Sequence, residues 1–395
     1  MTNRVLLHEL GVRRDREEWI VGRISTGDFV ALPEVGMRAL QLLQSGLPIA
    51  DAQSRLRQET GRTLDIDSFV RGLAEAGLVA AIDGNPVPAV APPRPTLPWI
   101  RPVSVRWTLS PVLHICVAAV IAIGTIILVR QPSLLPNWRA ILWSPSGAAV
   151  LFTQITVGWL MLLIHELAHL VTARAAGVPG RIAFGTRLQF LVVQTDVSGI
   201  WLAPRRVRLT VYLSGIAVDC ALCAVCVMLS LLTGPHSVYS IVLLTGIAML
   251  ATQAFVFMRT DLYFLLQDLT GCRNMYSDAI AYVRRGLARL MGRPRPGPIT
   301  EVSRRERRWL TIYGIVLVGG TIACLGVFVT ITLPVTATLV VRSVRALTSS
   351  HRLAAVVDAA AVLAILTTSQ LLWLRAWWRR HGHRFHRRSR SDARL

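Results

Sequence analysis

The sequence predicts a multi-pass α-helical membrane protein of about six transmembrane helices. A small α+β winged-helix-like cytosolic domain precedes them, and a β-hairpin lies between the second and third membrane helices. Three observations predict this class. The 395-residue chain is 53% hydrophobic and only 16% charged, with a mean hydropathy of +0.49, outside the range of an ordinary soluble domain. Beyond residue 110 the apolar residues gather in six stretches, each near the length that spans hydrocarbon as a helix. The first 84 residues show hairpin and amphipathic-helix patterns instead.

Residues 1–84 begin with a polar stretch, Met1 to Glu18, so no signal peptide is expected. Glu18 to Leu32 reads as two short strands around the turn Ser25-Thr26-Gly27, with Ile20, Val21, Ile24, Phe29 and Val30 supplying β-branched and aromatic positions. Pro33 to Gln44, Ile49 to Gln58 and Ile66 to Ala76 carry helical patterns, the last ending at Gly77, and Leu78 to Ile82 can return as a strand. A hairpin and three helices in about eighty residues suffice for a modest core of winged-helix type. The hairpin, the phrase Leu32-Pro33-Glu34-Val35-Gly36 and the closing Phe69-Val70-Arg71-Gly72-Leu73 with Gly77-Leu78-Val79 resemble the PqqD-like domains that accompany peptide-modifying enzymes. That resemblance implies a domain that holds a peptide by adding it as a strand to its edge. A winged helix that binds DNA or a partner protein is the alternative.

Residues 85–105 form a linker. Pro86, Pro88, Pro92, Pro93, Pro95, Pro98 and Pro102 favour an extended, semi-rigid spacer. Trp99 and Trp107 flank its end, as residues at a membrane interface do. The membrane domain, residues 106–378, holds the apolar segments at about Ser110–Val129, Ala148–Ala173, Val207–Leu232, Val238–Met258, Leu310–Leu333 and Ala354–Leu374, and residues 379–395 form a basic cytosolic tail. The net charge is +21 and every one of the 43 basic side chains is Arg. They crowd the loops after the second, fourth and sixth segments, which places both termini in the cytosol and makes this a protein of the cytoplasmic membrane. Anionic headgroups account for this charge more simply than nucleic acid does, so the bilayer is the expected partner and nucleic acid is not.

The second segment carries the chemistry, in the run Leu162 to Arg174, LLIHELAHLVTAR. On a helix, His165 and His169 share one face one turn apart and can bind one zinc ion, with Glu166 beside it. Zinc with an open position lowers the pKa of water, and a neighbouring carboxylate can take that proton and hand it to a leaving amine. A haem pair or a structural pair of imidazoles is the bland alternative. It does not explain three ionisable groups within five residues of a membrane helix, where such groups are costly. The second and fourth segments both run inwards under the orientation above, so Asp261, just past the fourth, arrives at the depth of the two imidazoles. It is the candidate third ligand.

HELAH on one membrane helix, followed two segments later by Asp261-Leu262-Tyr263, resembles the site-2 protease family of intramembrane zinc metalloproteases, and within it the peptide zinc metalloprotease proteins of peptide-maturation systems. The family's third-ligand motif usually reads Asp-Gly-Tyr, so Leu262 departs from it. The resemblance covers roughly Ala148 to Tyr276. It implies zinc as cofactor, Glu166 as acid and base, and cleavage of a peptide at or within the membrane. It also implies a sheet edge, here in Arg181 to Pro204 with Leu188, Phe190, Val192 and Val193, that holds the substrate extended at the cytosolic face; a bracing hairpin is the alternative.

Further candidates are secondary. Asp219, in the third segment with Ser214, is read as orienting a ligand or the substrate, because a lone carboxylate at that depth must face protein, water or metal. Asp268 follows Asp261 by seven residues and shares its helix face if the helix continues; a structural hydrogen bond suits it better. Asp358 in the sixth segment is a weaker candidate of the same sort. Cys220, Cys223 and Cys226 form an i, i+3, i+6 stripe that reads as packing, and His381, His383 and His386 lie in the basic tail. The reading is therefore a zinc-dependent intramembrane endopeptidase acting on a membrane-associated or leader-bearing peptide. A non-proteolytic peptide-binding, export or immunity protein and a membrane-anchored regulator are the alternatives.

Overall fold

The computed structural model describes residues 4–15, 18–61, 64–88, 91, 92, 94–187, 190–272, 274–292 and 304–392. They fall into two compact units. One unit joins residues 1–110 to 169–182 and 195–208; the other holds 111–168, 183–194 and 209–395.

The first unit opens with β1 (Val5–Leu7), β2 (Gly11–Asp15), β3 (Glu18–Arg23) and β4 (Asp28–Leu32). Strands β2, β3 and β4 form an antiparallel meander in which Val12, Val21 and Val30 stand in one row. Gly27, at φ +76°, closes the β3–β4 turn against Ser198, a backbone conformation that costs glycine little. The polar opening residues thus contain two strands that the sequence did not announce. Side chains alternate between half-buried and exposed along β2, where Arg13 and Arg14 interrupt any hydrophobic pattern.

Helices α1 (Glu34–Gln44), α2 (Ile49–Thr60) and α3 (Ile66–Glu75) follow, and the Asp65 side chain caps α3 by accepting from the Ser68 amide at 3.1 Å. Strand β5 (Val79–Ile82) pairs antiparallel with β1 on one side and with β6 (Asn85–Pro86) on the other. Leu40, Leu43, Leu56, Ile66, Leu78, Val79 and Val21 bury almost completely to form the core. Each is worth roughly 1.5–3 kcal/mol of transfer free energy.

The linker is hydrogen-bonded at Thr96 and Ile100. The Thr96 amide donates to the Gly180 carbonyl at 3.1 Å, and its hydroxyl accepts from the Ile182 amide at 3.0 Å. Buried Arg174 donates to the Thr96 carbonyl at 3.0 Å and to the Ile100 carbonyl at 3.4 Å. A short helix, α4 (Pro102–Val105), follows.

In the second unit and at its edges lie α5 (Pro111–Arg130), α6 (Gly147–Ala175), the hairpin β7 (Arg181–Arg187) and β8 (Phe190–Asp196), α7 (Arg205–Thr233), α8 (Ser237–Gln253), α9 (Asp261–Thr270), α10 (Met275–Leu290), α11 (Arg304–Val327), α12 (Leu333–Ser349) and α13 (Leu353–Asp392). Among the described residues five helices, not six, are long and apolar enough to cross a membrane: α5, α6, α7, the run Glu306–Ser349 and α13 to Arg379.

The fourth expected segment falls short because α8 ends after 17 residues, about 25 Å against about 30 Å of hydrocarbon. The fifth runs longer than expected. A five-residue π turn, Phe328–Thr332, carries α11 into α12 immediately before Pro334, whose ring and missing N–H a regular α-helix would not accommodate. Helix α13 likewise continues past residue 379 to Asp392.

Close contacts order the bundle. A side chain at Gly124 of α5 would overlap the Ala224 backbone of α7, and one at Gly246 of α8 would take the space of Cys223 Sγ. Cys226 packs in the same seam with Val227 and Leu243. The stripe of thiols is thus helix packing. Asp358 of α13 accepts hydrogen bonds from the Ser146 hydroxyl and, at 2.9 Å, from the Ala148 amide. It caps the N-terminus of α6 from another helix.

Candidate metal centre

His165 and His169 sit four residues apart on the continuous helix α6, so the geometry of the pair is that of a single helix turn. Both imidazoles and Glu166 are buried, at 3%, 5% and 6% exposure. Three ionisable side chains enclosed on one apolar helix need partners, and the bundle provides them.

The third donor comes from a break between two helices. Helix α8 stops at Gln253, a short turn spans Val256–Met258, and α9 restarts at Asp261. The Phe257 ring fills the space that a side chain at Gly320 of α11 would need, and the Tyr313 hydroxyl donates to the Val256 carbonyl at 3.1 Å. Arg259 takes a left-handed conformation, φ +59°. The Thr260 hydroxyl donates to the Gln253 carbonyl at 2.8 Å, and the Asp261 amide donates to Gln253 Oε1 at 3.2 Å. Asp261 therefore occupies the first turn of α9, where the helix dipole favours a carboxylate. The positive φ falls at Arg259, so Leu262, where the Asp-Gly-Tyr pattern has glycine, lies in ordinary helix.

His165 stands between two carboxylates. Its Nδ1 is 2.7 Å from Asp219 Oδ2 on α7, and its Nε2 is 2.9 Å from Asp261 Oδ2. One ligand atom each from His165, His169 and Asp261 lie within 4.8 Å of one another. Two imidazole nitrogens and a carboxylate oxygen are a zinc donor set with a fourth position open. The Asp219 carboxylate on the far nitrogen of His165 is the outer partner that such a ligand commonly has. Donors around tetrahedral zinc stand roughly 3.3 Å apart for bonds of about 2.0–2.1 Å, so the His165–Asp261 pair needs to open by only a few tenths of an ångström. The residues fit the ion.

Other candidates are placed elsewhere. Ser214 lies five residues from Asp219 on α7, roughly 140° around the helix, and its hydroxyl donates to the Val211 carbonyl of its own helix at 2.8 Å. It does not share the Asp219 face. Asp268 is buried on α9, on nearly the same face as Asp261 but about 10 Å along it. Asp358 caps the opposite end of α6, some 26 Å from the imidazoles.

Phe184 of β7 packs against Trp159 at 5.9 Å between ring centroids, and Trp159 precedes His165 by about 9 Å of helix. Leu188 lies outside the described residues, as do the side chains of Phe190, His381, His383 and His386.

Sequence reasoning missed Gln253, Arg259 and Tyr313. Gln253 near the end of an apolar segment was the available signal, because an amide there needs a partner.

No family model, curated protein or solved structure matches this chain. The centre is therefore read from its own geometry.

Proposed function

We propose that the chain is a zinc-dependent endopeptidase that cleaves a membrane-associated or leader-bearing peptide at the membrane, in the manner of the site-2 proteases that its HELAH and Asp-Leu-Tyr motifs resemble. One observation carries this reading: His165, His169 and Asp261 bring their donor atoms within 4.8 Å of one another, with the Glu166 carboxylate buried on the adjoining helix position. Bound zinc supplies a Lewis acid that polarises the scissile carbonyl and acidifies water.

The chain's own groups do the rest. Glu166 takes a proton from the attacking water as its oxygen bonds to the carbonyl carbon. When the C–N bond breaks, Glu166 returns that proton to the leaving amine; the water's other proton stays on the new carboxyl group, giving a carboxylic acid and an amine that then ionise to carboxylate and ammonium. Asp219 accepts from the His165 Nδ1–H, which fixes the tautomer and leaves the Nε2 lone pair on the Asp261 side. The β7–β8 hairpin, a two-stranded sheet paired with no other strand among the described residues, suits an extended substrate, and the β2–β4 meander of the first unit suits a leader segment added as a strand. The Arg-rich loops support an orientation with both termini in the cytosol.

The test is Glu166→Gln in the full-length protein. Zinc should remain at one equivalent while an uncut peptide precursor accumulates in cells that the wild type keeps free of it. Retained zinc with an unchanged peptide profile would replace the hydrolytic reading with a peptide-binding one.

A further inference from the structure

Asp261 is presented by a discontinuity, and a ligand on a break needs its backbone held. We propose that Gln253 and Arg259 are positioning residues that keep Asp261 at the imidazoles, an inference that rests on the metal reading above. Gln253 splices the two helix ends. As the last residue of α8 it carries a carbonyl that its own helix cannot satisfy, and the Asp261 amide, in the first turn of α9, is an orphan of the opposite kind. The Gln253 carbonyl accepts from Thr260 and its side-chain Oε1 accepts from Asp261. Residues eight apart would stand about 12 Å apart along an unbroken helix, so these two bonds exist only in the folded-back geometry and select it.

Arg259 locks the step before. A left-handed residue other than glycine persists where its surroundings over-determine it. The Arg259 Cζ lies 5.6 Å from the Tyr276 ring centroid and 5.9 Å from those of Tyr263 and Phe264, within cation–π range of all three. The seat is itself fixed. Tyr263 is buried, its hydroxyl accepts from the Tyr276 amide at 3.1 Å, and its ring lies 5.6 Å from that of Tyr313. Three rings on α9 and α10 thus hold one guanidinium, and through it the turn that aims Asp261.

Full-length protein in detergent, stripped of metal and titrated with Co2+, tests this. Wild type should take one equivalent with a tetrahedral absorption band. Gln253→Met and Arg259→Gly should each weaken cobalt binding about tenfold or more and alter the band, whereas Arg259→Lys should keep most of the affinity. Glycine adopts the left-handed backbone freely, so a loss in Arg259→Gly assigns the effect to the seated cation. Tyr276→Leu, which leaves residues 253–261 untouched, should reproduce the loss and serves if a variant at 259 fails to fold. Wild-type affinity and spectrum in Gln253→Met and Arg259→Gly, with both lost in Asp261→Ala, would overturn the positioning role alone. Equal cobalt uptake by wild type and Asp261→Ala would instead overturn the metal reading beneath it.

Discussion

His165 Nδ1 and Asp219 Oδ2 lie 2.7 Å apart, both side chains buried, across 54 residues of sequence. The pair ties α6 to α7 at the depth of the donor cluster and sets which imidazole nitrogen faces Asp261. Removing the carboxylate leaves Nδ1 without its acceptor, so Asp219→Ala should lower zinc affinity by about 10–100-fold. Asp219→Asn, which keeps an oxygen acceptor, should lose less. Chelator competition on the purified variants measures both, and equal affinities for wild type and Asp219→Ala would show that the contact orients nothing.

Asp358 caps α6 from α13 through Ser146 and the Ala148 amide. Asp358→Ala should cost about 1 kcal/mol, the usual worth of a helix cap. Hydrogen exchange should quicken at Ala148 and Ala149 and stay unchanged near His165, more than four turns away. Unaltered exchange in the first turn of α6 would refute the cap.

Arg174 holds the linker by the backbone carbonyls of Thr96 and Ile100, and Thr96 also binds the start of β7. Arg174→Ala leaves those carbonyls short of a donor. The Thr96 and Ile182 amides should then exchange faster together, because Thr96 bonds to both Gly180 and Ile182. If only one of the two amides responds, the linker is not a single docked strap.

Glu59 on α2 accepts from Arg38 of α1 at 2.6 Å and from Arg55 at 2.9 Å, and these hydrogen bonds hold its carboxyl down to about 2 from an ordinary 4.5. A depressed carboxylate contributes stability that is present above about pH 4.5 and fades as pH falls towards 2. The group is exposed, so the contribution is small and screened by salt. The gap in melting temperature between wild type and Glu59→Gln should therefore narrow from pH 6 to pH 3, and narrow again in high salt at pH 6. A gap that widens on acidification would contradict the assignment.

Much of the architecture was legible where the pattern is local. The β3–β4 hairpin follows from β-branched residues around Gly27, and α1 and α3 from apolar residues at helical spacing. Strands β1 and β2 were not legible, because Val5 to Leu7 is only three residues and β2 carries arginines on a half-buried strand. The apolar run from Val238 to Met258 gave no sign of the break after Gln253. Hydropathy counts apolar residues, while the break depends on Phe257 meeting Gly320 and on Val256 meeting Tyr313, both on a helix more than fifty residues later.

By itself the sequence determined the membrane class and singled out His165, Glu166 and His169 as a candidate site, since hydropathy and the spacing of these three residues act over one or two helix turns. Only the tertiary structure decided that Asp219 backs His165, that Gln253 splices α8 to Asp261, that Asp358 caps α6 from another helix, and that, among the described residues, five helices rather than six have spanning length. The two carboxylates reach His165 from 54 and 96 residues away, and Asp358 reaches Ala148 across 210. Which side chains meet at such separations is set by how helices pack, and no local periodicity encodes it.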